Sequence, residues 1–212
     1  MKALIFDLDG VLVSTDSFHY QAWKQLTDRL HIEFNETVNS RLRGISRMDS
    51  LEIILEQYHG APLSYTEKCI LADEKNGIYR ELLQAMKPED ISDEVRETLK
   101  ELHRRGLKLA VGSSSKNARF ILKHVRLEEA FDAISDGTNI SRSKPDPEVF
   151  LKAAAFLGEI PEECLVVEDA RAGIDAAKAG GMITAGLGEA AVYEKTDYPL
   201  RTFSQLLEIE TK

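Results

Sequence analysis

The chain reads as an α/β protein, a doubly wound parallel sheet interrupted after its first strand by a small helical domain. Three observations predict this. Short runs of uninterrupted apolar residues mark strands buried on both faces. Segments with helical spacing separate them, which implies parallel βαβ units. Between Thr15 and Met86 that alternation stops, and helical patterns follow one another with no convincing strand between them.

In order along the chain, "ALIF" is the first predicted strand. In the insert, Ala22, Leu26 and Leu30 recur at helical spacing, as do Leu51, Ile54, Leu55 and Tyr58, and a further helix is expected from Tyr65 to Ala85. The alternation then resumes. Val95, Leu99 and Leu102 share one face of a helix that Gly106 is placed to end, and the strand "LKLAV" follows. Phe120, Ile121 and Val125 form the next apolar face, before a weaker strand at "FDAIS". "PEVFLKAAAFLG" and "RAGIDAAKAGG" are helices with terminal glycines, each followed by a strand, "CLVV" and "MITAGL". The expected domains are 1–14 with 88–212 for the sheet and 15–87 for the insert, hinged at "VSTDS" and "MKPEDIS".

The 212 residues suffice for one large domain or a core with a smaller insert, and 43% hydrophobic content allows a substantial core. A net charge of −9 has the wrong sign for nonspecific binding to nucleic acid or to an anionic membrane surface. An anionic small substrate needs local cations or a metal to overrule it. The two cysteines, Cys69 and Cys164, form no metal-binding spacing and suit free thiols in a reducing compartment. The first apolar run is too short for a signal peptide, and no uncharged stretch has membrane-spanning length. A cytoplasmic protein is expected.

The first strand runs straight into Asp7 and Asp9, with Gly10 behind them. On a strand, alternate residues share a face, so both carboxylates are expected to point together into the crevice at the carboxyl ends of the sheet. Taken alone, this pair suits turn-capping aspartates equally well. Three later stretches join it in the predicted topology. "LKLAVGSSSKN" ends a strand in Ser113, Ser114, Ser115 and Lys116; "SRSKPDPEVF" places Lys144 ahead of a helix; and "CLVVEDARAGI" ends a strand in Glu168 and Asp169. Singly, the serines suit helix caps, Lys144 a solvated lysine, and the acids capping residues. Together they supply four carboxylates for a hard cation, hydroxyl donors and a lysine. That inventory suits phosphoryl transfer, with Asp7 as nucleophile and Asp9 as the acid/base.

These elements, in this order and over essentially the whole chain, resemble the haloacid dehalogenase superfamily of aspartate-nucleophile phosphotransferases, with its Rossmann-like core and inserted cap. The resemblance implies Mg2+ held by Asp7, Asp9, Glu168 and Asp169, with Ser113 and Lys144 completing the catalytic set. Asp9 separates the chain from true haloacid dehalogenases, which lack it. Within the superfamily the cap resembles the β-phosphoglucomutase family. "FDLDGVLVSTDSFHYQAWKQL" carries Thr15, His19 and Trp23 where that family has a hinge threonine, a histidine and a tryptophan. "RLRGISRMDSL" resembles its cap loop. The match implies that Leu42, Arg43, Gly44, Ile45, Ser46 and Ser50 line the sugar and that Arg47 grips the distal phosphate. It implies further that Lys75 contacts substrate, that Ser114, Ser115, Lys116 and Asn117 form a phosphate and sugar loop, and that His19 hydrogen-bonds Asp9. Arg43 departs from the lysine more usual in that family, a change of geometry at constant charge. Apart from the resemblance, Trp23 suits a residue sealing the cap core, His19 a helix-face histidine, and Arg43 and Arg47 a solvated helix face.

The implied reaction interconverts β-D-glucose 1-phosphate and D-glucose 6-phosphate through the 1,6-bisphosphate. A closing cap with its own phosphate grip serves a mutase by excluding water from the aspartyl-phosphate. One rival is a sugar-phosphate or phosphoglycolate-type phosphatase on the same core, which needs no distal-phosphate arginine. Another is a signalling receiver domain, which also carries a phosphorylated aspartate on a doubly wound sheet but has no helical insert and has acids that usually precede the nucleophile; a nonenzymatic binding protein, which has no need of Asp9, is the least expected. The partner is thus a small sugar phosphate, with neither nucleic acid nor membrane, and the protein is expected to be a monomer.

Overall fold

The computed structural model describes residues 1–42 and 45–210; Arg43 and Gly44, named above, lie outside the described residues. The chain divides into two compact units, Met1–Ser14 with Lys87–Lys212, and Thr15–Met86.

The first unit is a parallel sheet of strands β1 (Ala3–Phe6), β2 (Lys108–Gly112), β3 (Ala133–Ser135), β4 (Cys164–Glu168), β5 (Ile183–Gly186) and β6 (Tyr198–Pro199), in the order β3-β2-β1-β4-β5-β6. The strand order reverses around β1, the arrangement that opens a crevice beyond the carboxyl ends of the strands. All four residues of β1 are fully buried, which is why their sequence shows no polar alternation. On one face Ala3, Ile5, Ala110, Cys164 and Val166 pack against Val149, Phe150 and Ala153 of α7 (Glu148–Leu157) and Ala176 and Ala177 of α8 (Arg171–Ala179). On the other face Phe6 stacks on Phe203, ring centroids 5.7 Å apart, and meets Phe131 edge-on at 6.0 Å. Removing a ring buried this deeply costs about 3–5 kcal/mol.

The remaining helices of this unit are α5 (Asp93–Arg104) and α6 (Ala118–His124). Ser92 caps α5 by accepting from Val95 N–H at 3.2 Å, and Gly106 follows the helix with φ +81°. The apolar face of α6 is Ile121, Leu122 and then Val125. Phe120 is only half-buried, its ring tilted over His124 at 4.1 Å, because it lies one position off that stripe. Strand β6, two exposed residues with a proline at the sheet edge, was not expected from the sequence.

The second unit contains α1 (Asp16–Arg29), α2 (Glu36–Ser40), α3 (Arg47–Leu55) and α4 (Tyr65–Leu83). Trp23, Leu26, Phe34, Leu51, Ile54 and Ala72 form its own core, with Leu30, Leu55 and Tyr58 partly buried against it. A capping box starts α4: Ser64 Oγ accepts from Glu67 N–H at 3.3 Å while Glu67 accepts from Ser64 N–H at 2.8 Å. Among the described residues, no helix is long and apolar enough to cross a membrane.

Candidate active site

The register of the sheet assembles the site. Phe6 lies level with Val111 on one side and Val167 on the other, so the residues just beyond, Asp7, Gly112 with Ser113, and Glu168, form one row. Asp7 N–H still donates to Val167 O at 3.0 Å, which fixes the root of its side chain although β1 ends at Phe6.

Lys144 is the centre of the row. It is 5% exposed, and its Nζ donates to Asp7 Oδ1 at 2.5 Å and to Glu168 Oε1 at 2.6 Å. It also lies 4.5 Å from the Phe150 ring centroid, a face that favours a cation. Gly112 makes room for that ring: a Cβ there would come within 2.6 Å of it. The reading of Lys144 as a solvated lysine is therefore corrected. Burial by itself lowers its pKa, but Asp7 and Glu168 more than reverse this and hold it firmly protonated.

Glu168 takes two further bonds from the start of the next helix. Its Oε2 accepts from Asp169 N–H at 2.9 Å and Ala170 N–H at 2.8 Å, just ahead of α8. Gly173 allows this, since a Cβ there would stand 1.8 Å from Glu168 Oε1. Gly10, at φ +82°, does the same for Asp169: a Cβ would lie 1.9 Å from Oδ2. Burial and then the charges of Glu168 and Asp7 push the Asp169 carboxyl up to about 8, and burial also raises Glu168 against the opposing pull of Lys144. An excess of acid over base has thus been packed into a dry corner, and it calls for a cation.

Asp7, Glu168 and Asp169 each offer an oxygen, and these lie within 4.8 Å of one another, a spacing that could hold a divalent ion. The donor set is all-carboxylate, which suits a hard cation. The Asp9 carboxylate lies outside this group of three side-chain oxygens. Period-2 geometry does not carry from Asp7 to Asp9, because the strand stops at Phe6 and the chain bends at Leu8 before Asp9 bridges to Val13 around Gly10. Asp9 stays close enough to contribute to the raised pKa of Asp169.

Ser113 is buried, its N–H donating to Ser135 O at 3.1 Å and its Oγ accepting from Ser115 N–H at 3.2 Å. Ser115 Oγ in turn accepts from Asn117 N–H at 3.2 Å, and Ser114 Oγ from Lys144 N–H at 3.4 Å. Lys116 is exposed and Asn117 buried at the start of α6. Asp136, which the sequence reading missed, shapes the turn beyond β3: its Oδ1 accepts from Thr138 N–H at 2.9 Å, and Gly137 N–H then donates to Ser115 O at 3.1 Å.

A second constellation lies within the helical unit. Lys75 is 2% exposed, with Nζ 2.7 Å from His19 Nδ1 and over the Trp23 ring at 4.8 Å. Burial, then the charges of Lys75 and Arg47, keep the His19 pKa well below 6.5. Thr15 is fully buried and accepts from Tyr79 O–H at 3.0 Å, a partner the sequence reading also missed. Its spacing of one helical turn from Lys75 in "DEKNGIY" was the available signal. Arg47 opens α3, whose Ser46 cap accepts from Asp49 N–H at 3.1 Å. Its guanidinium donates to Asn76 Oδ1 at 2.9 Å and approaches Asp73 at 3.4 Å, so it is a held, partly buried group rather than a solvated one. Leu42 and Ser50 are buried and Ile45 half-buried.

The family model for haloacid dehalogenase-like hydrolases matches residues 1–181. The chain is 41% identical to a β-phosphoglucomutase of Bacillus subtilis over 97% of its own length and 92% of that protein. It is 29% identical to a phosphorylated carbohydrates phosphatase of Thermotoga maritima, over 86% of this chain and 82% of the other. The crystal structure of a β-phosphoglucomutase from Clostridium difficile superposes with a TM-score of 0.89 at 36% identity, covering 97% of this chain and 93% of that one.

Proposed function

The chain belongs to the haloacid dehalogenase-like hydrolase family, and from that premise we propose that it is a β-phosphoglucomutase, interconverting β-D-glucose 1-phosphate and D-glucose 6-phosphate. The observation that carries the reading is Lys144 shared between Asp7 and Glu168 in a buried row beside Ser113. A lysine so placed can neutralise a phosphoryl group arriving at Asp7.

In this reading an Asp7 oxygen attacks phosphorus at C1 of the bisphosphate, the P–O bond to the sugar breaks, and Asp9 gives its proton to the departing oxygen, releasing glucose 6-phosphate. A molecule of glucose 1-phosphate then delivers its 6-hydroxyl to the aspartyl-phosphate. Asp9 takes the hydroxyl proton, the acyl-phosphate bond breaks, and the bisphosphate and free Asp7 are regenerated. Ser113 donates to the phosphoryl oxygens, and Lys144 balances their charge throughout. Mg2+ would be held by Asp7, Asp9, Glu168 and Asp169 and, when bound, would supply further neutralisation of the transferring group. In the helical cap, Arg47 grips the phosphate that does not react. Its anchoring on Asn76 supports this, because a pre-oriented guanidinium loses less freedom on binding. Thr15, His19, Trp23 and Lys75, with Ser114 to Asn117 and the loop from Leu42 to Ser46 and Ser50, complete the proposed substrate set. We assign the protein to the cytoplasm and expect it to act as a monomer, since a moving cap leaves little surface to spare; a stable dimer in light scattering would overturn the latter.

Phosphorus NMR of the protein with magnesium, β-D-glucose 1-phosphate and a trace of the 1,6-bisphosphate tests the reading. Glucose 6-phosphate without free phosphate is the expected result. Free phosphate alone would make the protein a phosphatase, the reading that its likeness to the Thermotoga maritima enzyme keeps in play.

A further inference from the structure

Helix α4 carries a residue on the face of Lys75 that the proposed reaction does not use. Tyr79 is 1% exposed, and its ring lies against the imidazole of His19, centroids 4.0 Å apart and planes 27° from parallel. Its hydroxyl donates to Thr15 Oγ1 at 3.0 Å, and Thr15 is the residue from which α1, and with it His19, departs. The ring is therefore tied at one end and pressed on His19 along its face.

Lys75 completes the arrangement. Its Nζ stands 4.6 Å from the Tyr79 centroid and 4.8 Å from that of Trp23, so two aromatic faces support an ammonium that is cut off from water. An ammonium has donors and no acceptor, so at 2.7 Å His19 Nδ1 must accept from it. The hydrogen of the neutral ring then sits on Nε2. Lys75 selects the tautomer, but one hydrogen bond leaves the ring plane to pivot. The face of Tyr79 removes that freedom.

Resting on the mutase reading, we propose that Tyr79 is a positioning residue, which through Thr15 and its own ring holds the His19–Lys75 pair so that His19 presents a single N–H donor, Nε2–H, in a fixed direction. Nothing in this requires Tyr79 to touch substrate. Its removal should loosen a donor that remains present.

Histidine labelled with nitrogen-15 tests the proposal in the intact chain. There are five histidines, and the pair of resonances missing from His19→Gln identifies this one. In the wild type His19 should show a protonated Nε2 and a bare Nδ1, with no titration near 6.5 because its pKa is held well below that value. Tyr79→Leu should leave Nε2 protonated, as Lys75 dictates, but shift and broaden the Nδ1 resonance as the ring pivots, move the titration midpoint up toward 6.5, and lower mutase kcat/KM by about 10- to 100-fold, as expected for a misplaced group. Tyr79→Phe keeps the ring and loses the hydroxyl that is tied to Thr15, so it should shift both readouts in the same direction by less. Should the leucine variant fail to fold, the phenylalanine variant decides. An unaltered His19 spectrum in the folded variants overturns the proposal, whether or not turnover falls, since a fall alone would mean general packing. If the wild type releases phosphate and makes no glucose 6-phosphate, the mutase reading fails while the spectral result still judges Tyr79.

Discussion

Replacing Lys144 by methionine should move stability, turnover and metal affinity in directions that no single packing defect could produce. The methionine fills most of the volume of the stem and keeps contact with Phe150, so little apolar burial is lost. What disappears is the charge. The side chains of Lys144, Asp7 and Glu168 are 3%, 11% and 2% exposed, and the two ionic hydrogen bonds measure 2.5 and 2.6 Å. Breaking such a buried arrangement from one side costs about 3–5 kcal/mol, because the remaining carboxylates stay buried without their counter-charge. Glu168, already raised by burial, will take up a proton to limit the loss. We therefore expect the lower end of that range near neutrality and a smaller loss in acid. Urea unfolding without metal should report it, followed by circular dichroism. The single tryptophan, Trp23, belongs to the helical unit and reports on that unit instead. Turnover should fall by about 10²–10³-fold, as for removal of a transition-state electrostatic partner. Mg2+ should nevertheless bind at least about tenfold more tightly, since removing a unit charge a few ångströms from a divalent ion gains about 2 kcal/mol even at the dielectric of water. A variant as stable and active as the wild type, or one that binds Mg2+ more weakly, would refute the reasoning.

Arg47→Ala should raise KM for the bisphosphate in steady-state assays, and Arg47→Lys should recover little of the loss, because a lysine cannot reproduce the fork now anchored on Asn76. Two glycine-to-alanine changes should differ in sign by thermal unfolding. Gly77 in α4 has nothing within 4 Å of its would-be Cβ, so alanine there should stabilise by about 0.5–1 kcal/mol. A Cβ at Gly173 in α8 would stand 1.8 Å from Glu168 Oε1, and the overpacking cost of about 1–3 kcal/mol should outweigh the helix propensity gained. His19 makes the fold acid-sensitive. With its folded pKa well below 6.5, the unfolded chain binds the extra proton first, so the His19 share of stability is complete above 6.5 and falls by about 1.4 kcal/mol per pH unit below it. The difference in stability between wild type and His19→Gln, taken from denaturant titrations across that range, should carry this slope, since the raised carboxyls of Asp169 and Glu168 titrate alike in both proteins and cancel.

What could be read from the sequence was what local chemistry decides. The strands β1 and β4 are legible because burial on both faces forbids polar alternation, and the start of α4 because Ser64 and Glu67 form a capping box. Asp7, Ser113, Lys144 and Glu168 were gathered by supposing parallel strands; the register brings Asp7, Ser113 and Glu168 level, and Lys144 reaches them from the loop ahead of α7. Elsewhere a local rule was pushed past its range. Asp7 and Asp9 would share a face only if the strand continued, and it ends one residue before Asp7. Lys144 alone is indistinguishable from a surface lysine, since the groups that bury its charge are 137 and 24 residues away in sequence. Tyr79 and Gly173 were passed over for a related reason. A tyrosine inside an amphipathic helix or a glycine early in one looks ordinary until the opposing side chain is in place. Strand β6 has no apolar run at all, being two exposed residues set by the pairing of Ala185 with Tyr198.

The central position of β1 has a consequence for the making of the protein. The strand that carries Asp7 leaves the ribosome early, yet both of its neighbours are encoded far downstream, Lys108–Gly112 and Cys164–Glu168. At about 5–20 residues per second of synthesis, Phe6 waits on the order of 10–30 s for Val167. During that interval an apolar strand has both edges open until β2 is made and one edge open until β4, while the contiguous segment 15–86 already holds all the partners of its own core. Nascent chains arrested between β2 and β4 should accordingly depend on chaperones, and the setting of Asp7, the proposed nucleophile, should be among the last features of the molecule to take shape.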